Sequence, residues 1–174
     1  MICAYPPFCY LKVIVMKKYL IMIAALAACL FTIVSCSSDN GSSAAEENLK
    51  KGMEYLAENA KREGVVTTAS GLQYEVLHEG TEGGKRPTAN DYVRCRYDGY
   101  FIDGKVFDQT SGDNSATFPL SGVIKGWTEG LQYMTEGAKF RFYIPYYLGY
   151  GAYDYGPIPA CSTLIFDVEL LQVL

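Results

Sequence analysis

Val93-Arg94-Cys95-Arg96-Tyr97-Asp98-Gly99-Tyr100-Phe101-Ile102-Asp103-Gly104-Lys105-Val106-Phe107 decides the fold class. Val93, Cys95 and Tyr97 alternate with Arg94, Arg96 and Asp98, the period of a strand with one apolar and one wet face. Asp103-Gly104 then signals a hairpin turn, because glycine accepts a positive φ without a Cβ clash. The runs on either side of it are therefore expected to pair antiparallel. Outward from this hairpin, a Ser70-Gly71 turn precedes another alternation, with Leu72, Tyr74 and Val76 on one face and Gln73, Glu75 and Leu77 on the other. Residues 139–144 and 164–173 also read as strands, the second almost wholly apolar. Between the strands, residues 123–134 suit a short helix that Gly126 and Gly130 weaken. The expected class is α+β, an antiparallel sheet with one short helix.

Upstream, Leu49, Met53, Leu56 and Ala60 are spaced by four, three and four between Ala44 and Arg62, which predicts an amphipathic helix. Glu46 and Glu47 favour its start, Lys61 and Arg62 its end, and Gly64 sits where a stop belongs. Two readings stay open for this helix. It is a dimerisation helix or stalk, or it packs on its own domain.

The N-terminus reads as an address. Met16-Lys17-Lys18, the apolar run from Tyr19 to Val34, and the small polar stretch from Ser35 follow the signal-peptide layout. The run is shorter than the ~20 residues a spanning helix needs. Ile33-Val34-Ser35-Cys36 resembles a bacterial lipobox, in which the cysteine becomes the lipidated first residue; Leu26-Ala27-Ala28-Cys29 fits as well, but cleavage there would leave the apolar Leu30 to Val34 at the new terminus, so Cys36 is preferred. The expected organisation is a signal peptide over 1–35, with Met16 as its true start, then Cys36 and a polar tether to 43, a helix and linker over 44–70, and a folded domain over 71–174. Residues 1–35 carry three lysines and no acid, so their removal takes the net charge from -4 to -7. No basic surface suited to nucleic acid is expected on so acidic a chain. Four of the six cysteines lie in the first 36 residues, leaving Cys95 and Cys161 as an open question of pairing.

The chain contains no G-x-S-x-G, Walker loop, H-E-x-x-H or Cys-x-x-Cys. Its one histidine, His78, is expected at an exposed strand end, since a single imidazole builds neither a triad nor a zinc site. No cofactor and no metal is expected. What stands out is a set of aromatic and branched residues without a nucleophile: Tyr97, Phe107, Val123, Ile124, Trp127, Tyr150 and Phe166.

Tyr97-x-Gly99, Asp103-Gly104-Lys105-x-Phe107-Asp108, Val123-Ile124-x-Gly126-Trp127-x-Glu129-Gly130-Leu131, Tyr150-Gly151 and Ile158-Pro159-x-x-Ser162-Thr163-Leu164-Ile165-Phe166-Asp167-Val168-Glu169-Leu170-Leu171 together resemble the FKBP-type peptidyl-prolyl cis-trans isomerases. The lead-in from Glu54 to Tyr74 is similar to the envelope branch that includes the macrophage infectivity potentiators. The resemblance implies a bent antiparallel sheet wrapped around the short helix, with the site between them. It implies catalytic roles for Tyr97, Phe107, Asp108, Trp127, Tyr150 and Phe166, with Trp127 as the pocket floor. Val123, Ile124, Ile158 and Tyr155 are the implied substrate-binding residues, the Ile124 N–H donating to a bound carbonyl. The implied partners are proline-containing unfolded or exported polypeptides, and the membrane through the Cys36 lipid, with a weak homodimer. The expected location is the bacterial envelope, on the periplasmic face of the outer membrane.

The implied function is X–Pro isomerisation that assists folding of exported proteins. The alternative is a catalytically weak, membrane-anchored peptide-binding chaperone. Three departures from the family pattern matter. Ala116 stands where an apolar or aromatic wall is usual, no cation lies between Gln109 and Ser115 to pair with Asp108, and Ala160 replaces the second proline of Ile-Pro-Pro. Tyr146, Tyr147, Tyr150, Tyr153 and Tyr155 crowd one loop, either as an aromatic rim for unfolded polypeptide or as packing around Tyr150.

Overall fold

In a computed structural model that describes residues 40–174, seven strands form one antiparallel sheet. The expected signal segment and Cys36 lie outside the described residues. The elements are α1 (Asn40–Asn59), β1 (Val65–Thr67), β2 (Gln73–His78), β3 (Tyr92–Phe101), β4 (Val106–Gln109), β5 (Ala116–Pro119), α2 (Lys125–Gly130), β6 (Lys139–Ile144) and β7 (Leu164–Val173). The sheet runs β1-β2-β6-β7-β3-β4, with β5 also paired to β3. Asp103-Gly104 makes the expected turn, Gly104 at φ 85° and the Lys105 N–H donating to Asp103 Oδ1 at 2.9 Å.

Alternation separates two sheet faces. Phe140, Phe142 and Ile144 of β6, with Leu164, Phe166 and Val168 of β7, form the core beneath α2. Tyr143 points the other way, yet it is 1% exposed because α1 covers it. The same cover explains a departure from the expected wet face of β2. Gln73 is buried, its amide oxygen accepting from Asn59 Nδ2 at 2.8 Å and its Nε2 donating to the Leu56 carbonyl at 2.9 Å. Val76, Leu77 and His78, beyond the end of α1, are exposed.

One expectation for α1 is corrected. It starts at Asn40, inside the stretch read as tether, since Ala44 and Ala45 favour a helix and no proline interrupts it. Its apolar stripe is only partly covered: Leu49 and Leu56 are half-buried, while Met53 is 64% exposed and Ala60 is exposed. Asn48, Gly52, Tyr55 and Asn59 repeat the four-three-four spacing one position earlier, ~100° around the helix, and these face the domain. Gly52 permits the approach, because a Cβ there would collide with Thr163 Oγ1. Asn48 Nδ2 donates to the Ala160 carbonyl at 3.0 Å. At the far end, Arg62 Nη1 donates to Tyr143 Oη and Asn59 Oδ1, both at 2.8 Å. Of the two readings of this helix, packing on its own domain is the one observed.

Cys95 and Cys161 are free and buried, and burial pushes the Cys95 thiol up to about 12.

Asn59→Ala would leave the buried Gln73 amide oxygen without its donor. Urea unfolding is expected to show a loss of about 1–3 kcal/mol, against less than about 0.5 kcal/mol for Met53→Ala on the exposed stripe.

Candidate active site

The close approach of α2 to the sheet builds the site. Gly126 and Gly130, expected to weaken the helix, are what let it seat. A Cβ on Gly126 would stand 2.7 Å from Ile144 Cγ2, and one on Gly130 would stand 2.5 Å from Phe142 Cε1. Between these glycines Trp127 turns into the core, 4% exposed. Three rings meet its indole nearly at right angles: Tyr97 (5.2 Å, 87°), Phe118 (5.6 Å, 84°) and Phe166 (5.4 Å, 81°). Edge-to-face contact of this kind aligns ring quadrupoles and holds each ring in one orientation. Trp127 Nε1 is buried without a hydrogen-bond partner among the described residues.

A cavity of about 260 Å³ opens above this floor. Tyr97, Trp127, Phe166, Val123, Ile124, Tyr150, Tyr155 and Asp108 line it, together with Phe118 and Gly122. Phe118 was not expected. Its signal was its place in β5, two residues after Ala116, where alternation puts both on one face. Ala116 itself pairs with Cys95 and is not part of the lining, so it does not form the smaller wall expected from the sequence. Phe107 and Ile158 are not among the lining residues. Phe107 stands behind Phe166, edge-on at 5.4 Å and 89°. Ile158, 5% exposed, exchanges two 2.9 Å backbone hydrogen bonds with Tyr155 and anchors the rim loop.

Polar groups are few and confined to the rim. Asp108 is exposed, and in place of an arginine it accepts a 2.8 Å hydrogen bond from Tyr97 Oη. Ile124 caps α2 with its carbonyl, which accepts from the Trp127 and Thr128 N–H groups at 2.9 and 3.1 Å. Its own N–H makes no hydrogen bond among the described residues. Tyr150 stacks on Tyr155 at 4.7 Å and 19°. The other loop tyrosines lie elsewhere: Tyr147 donates to the Ser70 carbonyl at 3.2 Å, and Tyr153 is 85% exposed. Ala160 in place of proline supplies an N–H that donates to Asp154 Oδ1 at 2.8 Å and ties the rim loop. No group of acids, histidines or cysteines among the described residues could hold a metal ion.

Burial raises both cavity phenols above the ordinary tyrosine value, helped at Tyr97 by the hydrogen bond to Asp108 and at Tyr150 by the neighbouring Tyr155 and Asp108. The folded state therefore holds these protons more tightly than the unfolded chain. The resulting stability is intact below the unfolded tyrosine value of ~10 and is lost as pH rises above it. Urea midpoints are expected to begin falling at about pH 8.5, where the unfolded Cys95 thiol ionises, and to fall more steeply above ~10, the steeper part being reduced in Tyr97→Phe.

A family model for FKBP-type peptidyl-prolyl cis-trans isomerase matches residues 83–171, and one for the domain amino-terminal to such isomerases matches residues 23–76. The FKBP-type peptidyl-prolyl cis-trans isomerase FkpA of Aeromonas hydrophila is 53% identical over 130 residues, covering 74% of this chain and 48% of the relative. The outer membrane protein MIP of Legionella longbeachae is 44% identical over 131 residues, covering 74% and 55%. The chain thus spans about half the length of these curated relatives. The crystal structure of FkpA from Escherichia coli superposes with a TM-score of 0.73 at 35% identity, covering 97% of this chain and 73% of the other. A peptidyl-prolyl cis-trans isomerase from Pseudomonas syringae pv. tomato superposes at 0.69 with 38% identity, covering 79% and 98%. On these matches, in sequence and in fold, the chain belongs to the FKBP-type peptidyl-prolyl cis-trans isomerases.

Proposed function

We propose that this protein isomerises X–Pro bonds in exported polypeptides. The observation that carries the reading is a cavity lined mainly by aromatic and branched side chains, with an Ile124 N–H that makes no hydrogen bond among the described residues. Rotation about an X–Pro bond must overcome amide resonance, a barrier of about 18–20 kcal/mol, and breaks no σ bond. It therefore needs no nucleophile, and the cavity offers none. Resonance in the planar amide puts negative charge on oxygen and positive character on nitrogen, and twisting removes this separation. Relative to water, an apolar cavity favours the less dipolar twisted state, which lowers the barrier by differential binding. Trp127, Phe166 and Phe118 would grip the proline ring, with Phe107 holding Phe166 in place. The Ile124 N–H and the Tyr150 hydroxyl would hold the carbonyl during rotation.

In the same reading the protein works at the bacterial envelope, held to the membrane by lipid on Cys36 after removal of residues 1–35. The lipobox-like Ile33-Val34-Ser35-Cys36 supports this, as does the printed name of the Legionella relative. Among the described residues no helix is long and apolar enough to cross a membrane. The outward stripe of α1, with Met53 exposed, supports weak self-association.

Isomerisation of a proline tetrapeptide, followed without a coupling protease, tests the activity. Phe107→Ala with Trp127→Ala is expected to lower kcat/KM at least tenfold, about 1.4 kcal/mol of transition-state stabilisation, and wild-type turnover by the double variant would sink the mechanism. Anchoring is tested separately by membrane fractionation. Cys36→Ser is expected to move the protein from the membrane to the soluble envelope fraction, while an unchanged distribution excludes a lipid on Cys36.

A further inference from the structure

The connection between β6 and β7 carries Tyr150 and Tyr155 into the cavity lining. Its later part, residues 151–162, is tied mostly to itself. The Cys161 N–H donates to the Gly151 carbonyl at 3.0 Å, Tyr155 and Ile158 exchange their two bonds, and Ser162 Oγ donates to the Pro159 carbonyl at 2.7 Å. Among the described residues, one side chain from elsewhere in the chain reaches this loop by a hydrogen bond: Asn48 of α1, through the Ala160 carbonyl. Gly52, one turn further along α1, brings the helix close enough for so short a side chain to reach, since Thr163 Oγ1 occupies the room a Cβ would need.

A loop closed on itself moves as a unit, and closure alone does not fix where that unit sits. Burial of Ile158, 5% exposed, pins it at one point. One pinned point leaves a stiff segment free to pivot, and the Asn48 amide supplies a second. Asn48 is not among the residues that line the cavity. Resting on the isomerase reading, we propose that Asn48 is a positioning residue of the isomerase site, touching no substrate and holding from α1 the loop that presents Tyr155 to the cavity. Because that loop meets a bound peptide in the ground state and the transition state alike, the loss of Asn48 raises KM and leaves kcat.

Alanine raises the helix propensity of α1, so Asn48→Ala removes the bond without weakening the helix itself. With a proline tetrapeptide, Asn48→Ala is expected to raise KM about threefold to tenfold at unchanged kcat, the effect of one part-buried hydrogen bond. Asn48→Asp, which keeps the shape and loses the donor, is expected to raise KM at least as much. Asn59→Ala loosens α1 where it meets Gln73, far along the helix from Ala160, and is expected to keep the wild-type KM although it lowers stability. Fluorescence titration of Trp127, the single tryptophan, with the same peptide is expected to show Kd rising in step with KM. Wild-type KM and Kd in Asn48→Ala, or an equal rise in Asn59→Ala, overturns the proposal. The isomerase reading fails separately: wild-type protein that binds the peptide without turning it over overturns that reading, and the Kd of Asn48→Ala still decides whether α1 positions the loop.

Discussion

Everything at the site depends on one close approach, that of a six-residue helix to the sheet through two glycines. So short a helix has little stability of its own, because nucleation costs more than a single turn returns. Its position is set by contact: Gly126 against Ile144, Gly130 against Phe142, and the Trp127 indole between them against three rings. Those rings come from β3, β5 and β7, so sheet register and helix position are mutually determined. Glycine here lowers helix propensity and raises packing, and packing prevails because large, fully buried side chains lie opposite both positions.

Strands whose pattern reports burial on one face were legible in the sequence. Val93 and Cys95 needed only the period-two rule, the Asp103-Gly104 turn its glycine, and the bounds of β7 an apolar run. What escaped that rule was burial by polar means. Gln73 and Asn59, at 4% exposure each, satisfy one another, and a hydropathy pattern reads both as surface. The most buried face of α1 lies one residue from its apolar stripe for the same reason, since Gly52 and Asn59 are its buried residues. At the site, Phe118 and the withdrawal of Phe107 and Ile158 from the lining depend on which ring stands in front of which. Spacing along the chain does not contain that information.

The departures from the family pattern become intelligible as local substitutions of one hydrogen bond for another. Asp108 has no arginine within its loop, and the Tyr97 hydroxyl takes the same acceptor. Ala160 replaces a proline, and the N–H it regains closes on Asp154 while its carbonyl accepts from Asn48 of α1. Rigidity that proline would supply through a fixed φ is supplied here by two hydrogen bonds. One of them links the rim loop to α1, so the helix that covers the far face of the sheet also steadies one edge of the cavity.

The cavity divides into two parts with unequal freedom to change. Its depth is core: Trp127 and Phe166 are 4% and 3% exposed, and truncating either removes packing as well as lining. Its mouth is not. Asp108 and Tyr155 are exposed, and Tyr155 has its backbone, rather than its side chain, tied to Ile158. Substitutions at the mouth therefore cost the fold little, while they change the charge and aromatic surface there. Packing therefore fixes the depth of the cavity, and its mouth is built from residues on which the stability of the fold does not depend.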